Sequence, residues 1–104
     1  MKKITYNIRT IDVGELKPID GFLLEIPPFK FGVRHEGNLI NKDLRWEFTE
    51  LESGYIFLEG NWGESRKSVI EKVKKRINKY GVAEIKRRIV GVLSRWAVDG
   101  KANT

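Results

Sequence analysis

The chain has 104 residues, 40% of them hydrophobic and 33% charged, with a formal net charge of +6. That is the length of one domain able to bury its own core without a metal or a crosslink. There is no cysteine and one histidine, His35, which excludes disulfides, thiolate metal sites, cysteine nucleophiles and multi-histidine metal centres. Apolar runs stop at four residues, too short for a membrane-spanning helix. Met1-Lys2-Lys3-Ile4-Thr5-Tyr6 has basic residues but no apolar stretch of the kind a signal peptide requires. The expected location is therefore cytoplasmic, in keeping with the missing cysteine.

Along the chain the first signal is alternation. Ile4, Tyr6 and Ile8 alternate with polar residues, the period of a half-buried strand. Residues 14–21 hold Pro18 and Asp20-Gly21 and read as a turn. Phe22, Leu24 and Ile26 form a second alternating set that ends at Pro27-Pro28. The double proline cannot feed a ladder, so it breaks the strand or lies at an edge. Phe29, Phe31 and Val33 give a third set, with His35-Glu36-Gly37-Asn38 expected as a turn or short loop. Leu44, Trp46 and Phe48 give the clearest strand. Ser53-Gly54 then connects it to Tyr55–Leu58, which predicts an antiparallel hairpin.

After Gly63 the period lengthens. Val69, Ile70, Val73, Ile77 and Tyr80 fall on one helical stripe, started by Asn61 with Glu64 or by Ser65 alone, and ended by Gly81. Val82, Ile85, Ile89, Val92, Leu93 and Trp96 form a second stripe that runs to Asp99-Gly100. Strands followed by helices imply one α+β domain: an antiparallel sheet of four to five strands in residues 1–60, then two C-terminal helices in 61–98 packed on one face, with 99–104 as a frayed tail.

Charge divides along the same line. Residues 1–60 carry 8 Lys and Arg against 10 Asp and Glu, whereas residues 61–104 carry 12 against 4. A positive segment attracts phosphate or acidic surfaces. Lys67, Lys74 and Lys75 on the first helix, and Arg87, Arg88 and Arg95 on the second, fall off the apolar stripes, with Glu84 placed to pair Arg88. They could equally be solubilising residues of good helix propensity.

Chemistry-bearing patterns are sparse. No Gly-rich phosphate loop occurs, and His35 lacks a nucleophile elbow. Asp43, Glu47, Glu50, Glu52 and Glu59 could meet across the hairpin around Mg²⁺, but Glu47, out of phase with Trp46 and Phe48, is expected to face solvent. A helix-turn-helix around Gly81 would need a small residue at Ile77 and an apolar one at Arg87, so no recognition helix is expected. Trp62, between glycines ahead of the helix, is either a hydrophobic staple or, if exposed, a partner anchor or a base-stacking platform.

Two partial resemblances meet at this junction. Gly63-Glu64-Ser65-Arg66-Lys67-Ser68-Val69 resembles the helix entry of double-stranded-RNA-binding domains. That resemblance implies that Arg66 and Lys67 contact phosphates. The stretch from Trp46 to Ile77, through Glu52-Ser53-Gly54-Tyr55, Glu59-Gly60 and Ser65-Arg66-Lys67, resembles HicB-type antitoxin domains and small phage or mobile-element proteins. It implies a strand–turn–strand–helix architecture and an accessory role rather than an antitoxin's. The sequence expectation is thus a small basic protein without enzyme activity or cofactor, binding nucleic acid through a helical face formed by Arg66, Lys67, Lys74, Lys75, Arg87, Arg88 and Arg95. The alternative is a protein-interaction module anchored by Trp62, with a sheet edge open to a second copy.

Overall fold

The computed structural model describes residues 1–10, 15–37, 44–95 and 101–103. Strands β1 (Lys2–Arg9), β2 (Leu16–Ile26), β3 (Phe29–Gly37), β4 (Leu44–Glu50) and β5 (Ile56–Glu59) precede helices α1 (Arg66–Tyr80) and α2 (Val82–Arg95). The five strands form one antiparallel meander in the order β1-β2-β3-β4-β5. The expected α+β architecture is the one observed.

Cross-strand register sorts the side chains onto two faces. Phe22 pairs with Val33, Val33 with Phe48, and Phe48 with Leu58. This face, with Phe29 and Phe31, meets Val69, Val73 and Ile77 of α1 and Ile85 and Ile89 of α2 in the single core. The helices bury the centres of the stripes that their periodicity marks, while Tyr80 and Val82 at the junction stay exposed. Ser65 caps α1 by accepting from the Ser68 N–H, and the Glu64 carboxylate accepts from the Asn61 N–H. Gly81 ends α1 at φ 82°, where its N–H donates to the Ile77 carbonyl, a backbone conformation that an L side chain resists.

Three sequence expectations are corrected here. First, where a turn was expected over 14–21, residues 16–21 lie within β2, which runs unbroken past Pro18 and Asp20-Gly21, and Gly14 lies outside the described residues. Pro18 is tolerated because its partner Asn7 points its N–H away from β2, to Asn103, and β3 pairs only with Phe22–Ile26. No strand therefore asks Pro18 for a donor. Second, His35, Glu36 and Gly37 extend β3 opposite Trp46, Arg45 and Leu44. Third, the tail expected to fray is pinned in its described part. Ala102 is buried and its N–H donates to the Glu52 carbonyl. The Asn103 side chain accepts from the Asn7 N–H and donates to the carbonyls of Asn7 and Leu51. Trp96, Asp99-Gly100 and Asp43 lie outside the described residues.

The register also turns Ile4, Tyr6 and Ile8 onto the face opposite the helices, since Phe22 pairs with Lys3 and Ile19 with Tyr6. That face is nevertheless closed in part. The sheet curls until the Arg9 N–H reaches the Gly54 carbonyl and the Arg9 guanidinium reaches the Ser53 carbonyl. Under the curl, Tyr6 is 2% exposed and Glu47 is 3% exposed. Glu47 was expected in solvent; the folded-over β1 covers it, and Arg34 pairs it at 3.0 Å. Tyr6 lies over the bare backbones of Gly21 and Gly32, where an added Cβ would come within 2.9 Å of its ring.

Candidate nucleic-acid interface

The helical layer concentrates the charge. Helices α1 and α2 carry eleven Lys and Arg against two Glu, whereas β1–β5 carry seven against six. Three of the sheet's six acids are taken by its own arginines: Glu47 by Arg34, and Glu36 and Glu59 by Arg45.

Residue by residue, the seven expected cations divide into three groups. Lys67, Lys75 and Arg95 are exposed and have neither ion pair nor hydrogen bond among the described residues. Lys74 lies 3.8 Å from Glu71, and Arg87 and Arg88 share Glu84 at 2.6 and 3.1 Å. Such exposed pairs along one helix are weak. They also leave two guanidiniums to one carboxylate at Glu84. The two arginines hold the Glu84 carboxyl well below its usual range, at about 2. Arg66 forms the third group: it opens α1 with its guanidinium 5.6 Å above the Trp46 ring.

Around Arg66 the structure gathers aromatic and cationic groups that are scattered in sequence. His35 stacks on Trp46 with ring centroids 3.4 Å apart. Burial first, and the neighbouring Arg66 charge second, lower the His35 pKa below its ordinary value. Trp62 is 39% exposed and does not join the core cluster. Its ring lies 4.6 Å from the Arg45 guanidinium, which Glu36 and Glu59 hold in place. Trp62 therefore is not stapled into the core. Glu64 balances the start of α1, accepting from Lys72, Ser68 and the Asn61 N–H, which holds its carboxyl at about 2.

Lys72, Arg76 and Lys79 also belong to α1. The structure places Arg76 beside β5, where its guanidinium donates to the Phe57 carbonyl and lies 5.7 Å over the Phe57 ring. Tyr80 packs between Lys79 and Arg88, at 5.6 and 4.7 Å. The four-residue spacing of Arg76 and Tyr80 put them on one side of α1; only the fold shows that Arg88 joins them.

Among the described residues no three His, Asp or Glu side chains gather as a metal site, so the Mg²⁺ cluster considered for the hairpin carboxylates does not form there. Glu50 instead closes its own turn, its carboxylate accepting from the N–H groups of Glu52 and Ser53, while burial raises its pKa. No described helix is long and apolar enough to cross a membrane. Compared with protein-family models, curated proteins and solved structures, the chain matches none.

Proposed function

We propose that this protein is a non-enzymatic nucleic-acid-binding module that docks phosphates on the outer face of its helical layer. The observation that carries the reading is the segregation of charge: eleven cations against two acids on α1 and α2, with Lys67, Lys75 and Arg95 turned outward without an acid partner among the described residues. Such a surface displaces counterions from a phosphate backbone, so affinity falls steeply as salt rises. Arg66 and Lys67 at the start of α1 extend the face toward His35 and Trp46.

The test is a titration of the intact protein against single-stranded and duplex oligonucleotides of DNA and RNA over a range of salt. Binding that weakens log-linearly with salt supports the reading. No binding at low salt, or binding indifferent to salt, removes it.

A further inference from the structure

A groove of about 320 Å³ opens between β5, the end of α1 and α2, with Phe57, Tyr80, Ile85, Ile89 and Val92 among its walls. Ile56 on its lip is 47% exposed and Tyr80 is 41% exposed, so a run of apolar surface continues from the groove to solvent. Exposed apolar surface of this kind, set within a polar rim, marks a contact surface. The rim is cationic. Arg76 has no carboxylate partner among the described residues, only the Phe57 carbonyl, and Arg88 divides Glu84 with Arg87. Glu50 is the acid in the lining, and both its oxygens are occupied by the N–H groups of its own turn.

The walls decide between occupants. Ile85, Ile89 and Val92 are branched aliphatic groups, shaped for a side chain rather than for the flat face of a base. The Tyr80 ring, which could have stacked on a base, is already packed by Arg88 and Lys79. We infer that this groove binds an acidic, apolar peptide segment of a partner protein, seating a bulky side chain among Phe57, Tyr80 and Ile89 and setting a carboxylate against Arg76 and Arg88. An aromatic and aliphatic pocket with arginine at its rim is the composition of energetic centres in protein interfaces. The groove lies at the Tyr55 end of β5, and Trp62 follows the other end, so this contact is separate from any made by Trp62. It shares Arg88 with the cations of the proposed phosphate-binding face, while its apolar walls take no part in that face.

The experiment selects random peptides of about a dozen residues, displayed on phage, against the folded protein. The enriched peptide is then made synthetically, and its site is located by amide chemical-shift changes in the unmodified protein. The expected consensus places Asp or Glu beside Leu, Ile or Phe, with shifts at Phe57, Tyr80 and Ile85–Val92. Arg76→Gln should weaken the peptide by at least about tenfold, whereas Lys67→Gln with Lys75→Gln should leave it unchanged. Because Arg76→Gln also removes the bond to β5, Val92→Asp serves as a second variant that blocks the wall, with folding checked by circular dichroism. A neutral or basic consensus, shifts outside the groove, an oligonucleotide that shifts the apolar-wall amides of Phe57 and Val92 as the peptide does, or self-association through these residues would each overturn the proposal.

Discussion

Replacing Gly32 by alanine tests the least expected feature of the fold, the closed half of the face opposite the helices. A Cβ on Gly32 would sit 2.5 to 2.6 Å from three carbons of the Tyr6 ring. Carbon atoms rest about 3.5–4.0 Å apart, so the ring must withdraw by about 1 Å. Overpacking of this size costs about 1–3 kcal/mol. The alternative, swinging the ring into water, exposes about 150–250 Å² at about 25 cal/mol per Å², so the protein has no cheaper escape. The loss of chain entropy that glycine normally brings to a strand offsets at most about 1 kcal/mol. Gly32→Ala should therefore lower stability by about 1–3 kcal/mol, and Tm by about 4–8 °C for each kcal/mol. Tyr6→Ala vacates the space that the methyl group needs. The double variant should then lose less than the sum of the singles, with a coupling of about 1 kcal/mol or more. Urea unfolding of the four proteins gives the cycle directly. A Gly32→Ala change below about 0.5 kcal/mol, or effects that add within that margin, would refute the packing of Tyr6 over Gly32.

Further consequences follow from the same geometry. Burial first and Glu47 second push the Tyr6 phenol up to about 12. The folded pKa lies above the ordinary 10.0, so the stabilisation is complete below pH 10 and is lost between about 10 and 12, by about 2–3 kcal/mol. Spectrophotometric titration of the protein against Tyr6→Phe should show the missing tyrosine ionising last, and a normal phenol would contradict this. Asn103→Ala removes three hydrogen bonds to Asn7 and Leu51, and at about 0.5–1.5 kcal/mol each it should destabilise by about 2 kcal/mol or more and speed hydrogen exchange at the Asn7 amide; unchanged exchange would mean that the tail does not hold β1. His35 should titrate below 6.5 by NMR, and Arg66→Gln should raise its pKa, because burial and the Arg66 charge both disfavour the imidazolium. The neutral form then favours the fold above the unfolded pKa, and that contribution is lost as pH falls.

Much of the architecture was legible because alternation and the helical period are written by the core itself. Phe22, Val33 and Phe48 share a face, and Val69, Val73 and Ile77 share a stripe; each pattern survives without knowledge of its partner. What stayed hidden depends on distant segments. Asp20-Gly21 reads locally as a turn, yet Gly21 is needed where a side chain would strike the Val33 carbonyl and the Tyr6 ring. Glu47 has the phase of a solvent residue, and only the curl of β1 buries it beside Arg34. Ala102 and Asn103 look like a polar end until Gly54 and Asn7 are brought beneath them. For the candidate sites, the basic excess was visible, but its internal pairing was visible only in part. Glu84 was matched to Arg88 from spacing, whereas its bond to Arg87, the Arg76 link to Phe57 and the His35–Trp46 stack required three dimensions.

The most direct test compares the salt dependence of oligonucleotide affinity for the natural protein with that for Lys67→Gln, Lys75→Gln and Arg95→Gln combined. Each phosphate contact contributes about 0.9 to the log–log slope on duplex DNA and about 0.7 on a single strand. The triple variant should bind more weakly at low salt on every sequence tested, with a slope shallower by about 2–3. An unchanged slope would place the bound phosphates elsewhere and contradict the role assigned to the outer face of the helices.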